Sequence, residues 1–283
     1  MQGGRRMSLG IIVKGPEGIV LAADSRVTLF NQIPNPAVAG QTILIPATFD
    51  NATKVLRVNG QNFVGAVTYG LGAFITPDGP RTMQSFIPEF EEELKQNNVG
   101  RLPVADFANR MSDFFMRQWN SLVGRPANLG EELNFLVGGY DDGAAYGRGF
   151  LFTIPNAPIP IEQNAGPGQF GITWGGQTDL VYRLLFGFDP QLPSFLGTRF
   201  NVPAAQIPEL ARAIEAQLAP GIPYQFLPLQ DCVSLAVFLI QGTIDFQQFR
   251  TATVRGVGGT VEVAIITRSQ AFTFVSQKKI TLN

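Results

Sequence analysis

An apolar run that ends in polar residues decides the fold: Gly18-Ile19-Val20-Leu21-Ala22-Ala23-Asp24-Ser25-Arg26-Val27-Thr28. A second β-branched run, residues 10–14, precedes it across a turn rich in proline and glycine, and the pair predicts an antiparallel hairpin. The hairpin register places Ser8 opposite Asp24 or Ser25, where opposed Cβ atoms lie about 5 Å apart. The sequence therefore predicts a hydroxyl beside a carboxylate, and the simpler interpretation is a surface serine next to a surface aspartate.

The composition excludes several classes of partner and catalyst. The 21 basic and 22 acidic residues give a net charge of −1, so no basic field is available for nucleic acid or an anionic membrane. Histidine is absent, which excludes Ser-His-Asp and Cys-His sites and His-ligated zinc. The one cysteine, Cys232, cannot form an internal disulfide, so the expected compartment is a reducing cytoplasm. We find no apolar run approaching the roughly 18 residues that span a membrane.

Hydrophobic periodicity predicts an α+β chain in which strands, two helices, strands, helices and strands follow one another. Asn59-Gly60 predicts the turn of a second hairpin, and residues 31–53 and 187–228 are interpreted as loop insertions in a single domain spanning 1–283. Further strands are predicted over 54–58, 62–68, 133–139, 147–154, 168–174, 260–267 and 272–276, and helices over 81–96, 103–122, 178–186, 204–218 and 230–249.

The run at 18–28 resembles the second strand of proteasome β-type subunits and of their bacterial relatives. In that family an aspartate lies sixteen residues after an N-terminal nucleophile, and the residue sixteen before Asp24 is Ser8. The order and spacing of the matching segments extend the resemblance over most of the chain.

Three further segments carry the resemblance. Thr53-Lys54-Val55 resembles the start of the strand that bears the family's catalytic lysine. Leu136-Val137-Gly138-Gly139-Tyr140-Asp141 is similar to the central strand and turn, and residues 258–267, beginning Gly258-Gly259, are similar to the closing strand. The resemblance implies an N-terminal nucleophile hydrolase, with a four-layer αββα sandwich of two antiparallel sheets flanked by helices.

The resemblance also implies a mechanism without histidine. Ser8 would attack an amide carbonyl while its own α-amino group accepts the proton, and Lys54 and Asp24 would tune that amine. A backbone N–H of Gly70, or alternatively of Gly72, would stabilise the oxyanion.

Three more residues are implied to support the site. Thr28 would line the cleft and bind an extended peptide by strand addition. Arg26 belongs to the shared Asp-Ser-Arg segment, and an ordinary surface salt bridge is its other interpretation. Thr178 is the one hydroxyl near the position of a family serine beyond the Gly-rich turn.

The expected activity is that of a threonine/serine-type peptidase on peptide or protein substrates. The resemblance implies a cytoplasmic homo-oligomeric ring that needs neither a cofactor nor a metal ion. Ring size, cleavage specificity and an unfoldase partner stay open.

Three departures from the family pattern keep alternative functions open, and the inexact match at Thr178 is one of them. Seven residues precede Ser8, and Met7-Ser8 favours translation from Met7 followed by methionine removal. Val254 and Val257 stand where the family has an aspartate and a serine that orient the terminal amine. The alternatives are a non-catalytic structural or scaffold subunit of a ring, and an enzyme that passes the Ser8 acyl group to an amine.

Overall fold

The computed structural model describes residues 8–34, 36–37, 40–76, 79–121, 132–250 and 255–278. The chain divides into two units, of which residues 177–223 form the smaller. The strands of the larger unit are, in chain order, β1 (Leu9–Lys14), β2 (Ile19–Ala23), β3 (Val27–Pro34), β4 (Thr42–Phe49), β5 (Val55–Leu56), β6 (Val64–Gly70), β7 (Ala73–Thr76), β8 (Gly79–Thr82), β9 (Leu133–Gly139), β10 (Arg148–Ile154), β11 (Ala157–Gln163), β12 (Gly171–Gly176), β13 (Glu262–Ile266) and β14 (Thr273–Ser276). The α-helices of the described residues are α1 (Ile87–Gln96), α2 (Val104–Ser121), α3 (Asp179–Phe186), α4 (Leu192–Arg199), α5 (Ile207–Leu218) and α6 (Leu229–Gln248).

Two five-stranded antiparallel sheets organise the larger unit. Their strand orders are β12-β1-β2-β13-β14 and β11-β10-β9-β6-β5, and two separate hairpins pair β3 with β4 and β7 with β8. One buried cluster contains side chains from both sheets, including Ile12 and Leu21 from the first and Val67 and Leu136 from the second. The predicted α+β class is therefore confirmed, and the strands that begin directly after Ser8 and Lys54 belong to sheets that share a core.

The phenylalanines concentrate in a second buried cluster, between α1, α2 and the sheet that contains β9 and β10. The Phe115 ring of α2 lies 4.6 Å from that of Phe135, which lies 4.9 Å from that of Phe152. Aromatic pairs of this kind add about 0.5–1.5 kcal/mol each beyond the burial of apolar area. The helical spacing read from the sequence is confirmed, because Phe90 and Phe107 are also fully buried.

The loop predicted over residues 31–53 is wrong over most of its length. β3 and β4 pair across this region, with Val27 opposite Phe49 and Pro34 opposite Thr42. Proline is tolerated there because a two-stranded ribbon has only edge strands, whose outward positions need no N–H. The proline content that indicated a loop is thus compatible with a hairpin.

The second predicted hairpin exists with a longer connection. Asn59-Gly60 forms a turn in which Gln61 N donates to Val58 O at 3.1 Å, but β6 begins only at Val64. The buried Gln61 side chain donates to Gly100 O and accepts from Leu102 N. The longer connection thus places a buried amide whose polar atoms are satisfied by hydrogen bonds to the segment before α2. Strand β11 and helix α4 were not predicted from the sequence.

The sequence predicted no segment long and apolar enough to span a membrane, but α6 meets both criteria. Among the described residues it is the one helix that meets both criteria, with 20 residues and a mean hydropathy of 1.3. In the fold α6 contacts β1 and β2, and its buried residues include Cys232, Ala236 and Leu239. Its inward face therefore packs within the protein.

The smaller unit, residues 177–223, contains α3, α4 and α5. Gly187 ends α3 in the left-handed region at φ +80°, as a glycine C-cap does. α4 and α5 approach closely at Gly197, where a Cβ would overlap Ile207. The insertion that the sequence places at 187–228 thus corresponds to a unit that begins ten residues earlier.

Phe115→Ala is expected to lower the free energy of unfolding by about 3–5 kcal/mol, because it leaves a cavity among Phe86, Phe114 and Phe135. Urea unfolding followed by circular dichroism measures this change. Phe249→Ala is the matched control, since that ring is 83 % exposed, and should change stability by about 0.5 kcal/mol or less. Equal losses in the two variants would contradict the assigned core.

Candidate active site

Ser8, Asp24 and Lys54 meet within hydrogen-bond distance. The β1–β2 register, in which Gly10 lies opposite Ala23, continues to bring Ser8 to the level of Ser25 and Asp24 to that of Leu9. Lys54 Nζ lies 2.8 Å from Ser8 Oγ and 2.7 Å from Asp24 Oδ1. All three residues are buried, so the simpler interpretation of a surface serine beside a surface aspartate does not describe this site.

The Asp24 carboxylate is the centre of the hydrogen-bond network. Oδ1 accepts from Leu9 N at 2.9 Å as well as from Lys54 Nζ, and Oδ2 accepts from Arg26 N at 3.1 Å and Gly258 N at 3.0 Å. A fully buried carboxylate is stable only when donors replace the water that it loses. Asp24 therefore ties together β1, the end of β2, the start of β5 and the segment before β13.

The Lys54 ammonium is held in an environment that opposes its charge. Burial lowers the pKa of Lys54, whereas the negative charges of Asp24 and Glu262 raise it. The side chain is 5 % exposed, so solvent screens these interactions weakly. The protonation of Lys54 consequently depends on its two carboxylate neighbours.

Ser8 has an unusual backbone conformation. Its φ of +86° lies in the left-handed region, which residues other than glycine rarely adopt. Its N atom donates to Gly256 O at 2.9 Å. On the β12 side, a Cβ at Gly176 would overlap Ser8 O, so only glycine permits this approach. The backbone on both sides of Ser8 thus fixes the position of its hydroxyl.

A second network, centred on Arg26, connects the loops around the site. The guanidinium binds both carboxylate oxygens of Asp50, at 2.5 and 2.7 Å, and donates to Arg255 O at 3.2 Å. The hydrogen bond to Asp50 raises the pKa of Arg26, and the same bond lowers that of Asp50. Ser25 Oγ also donates to Asp50 O at 2.8 Å. Arg26 therefore pairs with a carboxylate, that of Asp50, and its supporting role stays a prediction.

A pocket opens beside the Ser8 hydroxyl. Ser8 and Lys54 form its polar wall, and Val27, Gly72 and Met83 contribute apolar surface. Thr68 also lines the pocket, and its Oγ1 is buried with no hydrogen-bond partner among the described residues. The free space beside Ser8 is about that of one water molecule, and the Thr68 hydroxyl lies buried behind its wall.

Gly70 ends β6 in a conformation that only glycine adopts easily, with φ +93°, and a Cβ there would overlap Glu132 O. Leu71 N donates to Glu132 O and Thr68 N to Lys54 O, which sets the alternation of N–H directions along this strand. By that alternation the N–H of Gly70 points to the side of β6 where Lys54 lies. This direction favours Gly70 over Gly72 as the oxyanion donor.

The two remaining candidates differ in their relation to the site. Thr28 is the second residue of β3, next to Val27 of the pocket wall, and its buried Oγ1 has no hydrogen-bond partner among the described residues. Thr178 lies in the smaller unit, where its carbonyl accepts from Tyr182 N in the first turn of α3. Ser8 belongs to the larger unit, so a contact between Thr178 and Ser8 is not assigned.

Sequence reasoning named Ser25 only as an alternative neighbour of Ser8, and it gave Asp50 and Glu262 no role. Ser25 stands inside the Asp-Ser-Arg segment, and its burial at 1 % exposure had no local signal. Glu262 had one, because it is the single charged residue in an otherwise apolar strand, and buried acidic residues normally have a partner. Asp50 had no such signal, because an aspartate that directly follows an uncharged segment is common at the surface of a protein.

Other reactive groups lie elsewhere. Cys232 contacts the β1–β2 turn at Gly15, at the opposite end of the hairpin from Ser8, and burial raises the pKa of its thiol to about 11. Within the described ranges, no group of three His, Cys, Asp or Glu side chains is placed to hold a metal ion.

Asp24→Asn is expected to lower the free energy of unfolding by about 3–5 kcal/mol, because it leaves the Lys54 ammonium buried without its nearest counter-charge. Chemical denaturation near neutral pH measures the change. Asp142→Asn removes an aspartate that is 90 % exposed in its ion pair with Arg101, and serves as the control. That variant should stay within about 0.5 kcal/mol of wild type; an equally small loss for Asp24→Asn would contradict the buried ion pair.

A scan of the chain against protein-family models finds no match, and neither does a search of the curated proteins. A function for this chain must therefore be argued from the geometry around Ser8 and Lys54.

Proposed function

We propose that the chain is a proteasome-like peptidase, an N-terminal nucleophile hydrolase in which Ser8 is the nucleophile after loss of residues 1–7. One observation carries the proposal: Lys54 Nζ contacts both Ser8 Oγ and Asp24 Oδ1, at 2.8 and 2.7 Å, in a chain without histidine. A hydroxyl is a weak nucleophile unless a neighbouring group activates it, and these contacts supply such groups.

The proposal includes the four-layer αββα arrangement of that superfamily. Three packing relations support it: the cluster shared by the two sheets, the cluster between α1, α2 and the second sheet, and the contacts of α6 with β1 and β2. In this arrangement Ser8 and Lys54 lie at corresponding ends of facing sheets, and the site forms where the sheets meet.

The proposed reaction uses the α-amino group that Ser8 has when it is the first residue. An α-amino group has an unperturbed pKa of about 8, so a substantial fraction is neutral near neutral pH. The Ser8 N atom lies 2.9 Å from Gly256 O, which can hold the amine in place. The Lys54 ammonium disfavours protonation of this amine by like-charge repulsion and stabilises negative charge on Ser8 Oγ.

The proposed hydrolysis has two stages, formation of an ester on Ser8 and its hydrolysis by water. Ser8 Oγ bonds to the amide carbon, its proton passes to the terminal amine, and the carbonyl oxygen becomes an oxyanion near the Gly70 N–H. The C–N bond then breaks as the ammonium of Ser8 returns the proton to the leaving amine. Water adds to the resulting ester with the same amine as base, and the acid product leaves as Ser8 Oγ regains its proton.

The backbone at Ser8 supports loss of the preceding residues. A non-glycine residue held at φ +86° stores strain of about 1–3 kcal/mol. The φ angle is defined by the preceding carbonyl carbon, so the restraint disappears when Ser8 is the first residue. Translation from Met7 followed by methionine removal would produce that terminus.

The proposed substrate is an extended peptide, whose scissile carbonyl lies beside the Ser8 hydroxyl at the mouth of the pocket lined by Val27, Thr68 and Met83. β3 continues from this pocket and pairs with β4 on one edge, so a peptide can add to its other edge by main-chain hydrogen bonds, with Thr28 near the start of the track. We further propose a cytoplasmic, homo-oligomeric assembly.

A non-catalytic scaffold subunit is the second candidate function. Val257 favours it, because this buried residue presents an apolar side chain where the family has a serine that orients the amine. Val254, the other departure, lies outside the described residues. In the catalytic proposal Gly256 O takes over the role of orienting the amine.

A peptide electrophile of the proteasome-inhibitor type separates the two functions. In a folded chain that begins at Ser8, released from a cleavable fusion, we expect a covalent adduct on Ser8 by mass spectrometry. Lys54→Met should slow labelling by about 10²–10³-fold, because it removes the cation beside Oγ. Ser8→Ala should abolish it.

Two controls complete the experiment. Ser269→Ala changes an exposed serine in the turn between β13 and β14 and should label like wild type. A chain that retains residues 1–7 should not label, since its Ser8 has no free amine. Absence of Ser8-dependent labelling in a chain shown to begin at Ser8 would establish the scaffold in place of the peptidase.

A further inference from the structure

A second buried carboxylate, Glu262, stands behind Lys54. It lies in β13 opposite Ala23 and is 2 % exposed. Its Oε2 accepts from the backbone N of Lys54 at 3.1 Å and of Val55 at 3.5 Å. Glu262 thus reaches from one five-stranded sheet to the first residues of β5 in the other.

The start of β5 needs such an anchor. β5 has two residues and lies at the edge of its sheet, where backbone N–H groups lack a neighbouring strand on one side. On the other side Lys54 O accepts from Thr68 N at 3.0 Å. Lys54 is therefore held through its carbonyl by β6 and through its N–H by Glu262, and both restraints determine where its side chain begins.

The charge of Glu262 calls for an explanation beyond hydrogen bonding. A neutral amide oxygen would accept from the same N–H groups without the cost of burying a carboxylate. The charged groups that face Lys54 are Asp24 after β2, Glu262 in β13 and Arg26 before β3. Asp50 already pairs with the Arg26 guanidinium, so the carboxylates left to favour the charge of Lys54 are Asp24 and Glu262.

We propose that Glu262 is a positioning residue for Lys54, which anchors the backbone at the start of β5 and sustains the positive charge that contacts Ser8. Its consequence for catalysis rests on the proposed peptidase function, whereas its effect on Lys54 does not. The electrostatics agree in direction: burial lowers the pKa of Lys54, and Glu262 is one of the charges that raise it. Burial in turn raises the pKa of Glu262, and its bonds to the two N–H groups oppose that shift.

Two substitutions separate the roles of the hydrogen bond and of the charge. Glu262→Gln keeps an oxygen acceptor and removes the negative charge, and Glu262→Leu removes both. Glu93→Gln is the control, since Glu93 pairs with Arg117 on the surface between α1 and α2. All chains begin at Ser8, and each is measured by the ¹³Cε resonance of Lys54 as a function of pH and by the rate of Ser8 labelling.

In Glu262→Gln we expect the pKa of Lys54 to fall, because a charge that favours the ammonium is gone. The Lys54 ammonium then loses its proton at lower pH. The alkaline limb of the plot of labelling rate against pH therefore moves to lower pH. Glu262→Leu should in addition lower the limiting labelling rate by about tenfold, with the apparent affinity for the peptide electrophile unchanged, since only the ammonium is misplaced. Glu93→Gln should match wild type in every measurement.

An unchanged Lys54 titration in Glu262→Gln would overturn the proposal, whatever the labelling shows. If wild type never labels at Ser8, the peptidase function fails, and the Lys54 titration still decides the role of Glu262. If Glu262→Leu does not fold, Glu262→Gln carries the decision, because it preserves shape and acceptor.

Discussion

The buried contact between Lys54 and Asp24 is the constraint on which the rest of the site depends. Removal of either partner would leave an uncompensated charge in the interior, so the end of β2 and the start of β5 must meet. These elements belong to different sheets, and the ion pair thereby fixes one edge of the space between them. Asp24 also accepts from Leu9 N and Gly258 N, which brings β1 and the segment before β13 to the same point.

Burial and charge are balanced around one cation rather than around a histidine. An ammonium in an apolar interior tends to lose its proton, and the carboxylates of Asp24 and Glu262 counteract that tendency. A charge so placed stabilises negative charge on the neighbouring Ser8 hydroxyl only while it stays protonated. In the proposed peptidase the chemistry would therefore depend on groups that do not touch the substrate, and Glu262 in β13 is the one we propose for this role.

Glycines and backbone atoms contribute as much as side chains. Gly176 allows β12 to approach Ser8 O, and Gly70 allows the end of β6 to approach Glu132 O, with its N–H directed toward the side of Lys54. Arg26 joins Asp50 to the carbonyl of Arg255, so the loops on two sides of the pocket are linked by one guanidinium. Contacts made by main-chain atoms depend little on residue type, so the amino-acid sequence gives little indication of them.

The sequence by itself determined the local elements: the β1–β2 hairpin, helices α1 and α2 with their buried phenylalanines, and the closeness of Ser8 to Asp24. Each follows from a period or a register that a short window of residues contains. Lys54 entered only through the family resemblance, and the β3–β4 hairpin was mistaken for a loop because its prolines occupy edge positions. Tertiary structure alone decided that Glu262 binds the backbone of Lys54, 208 residues away along the chain. Such a contact arises from the packing of two sheets, and no local pattern encodes which buried charge meets which backbone.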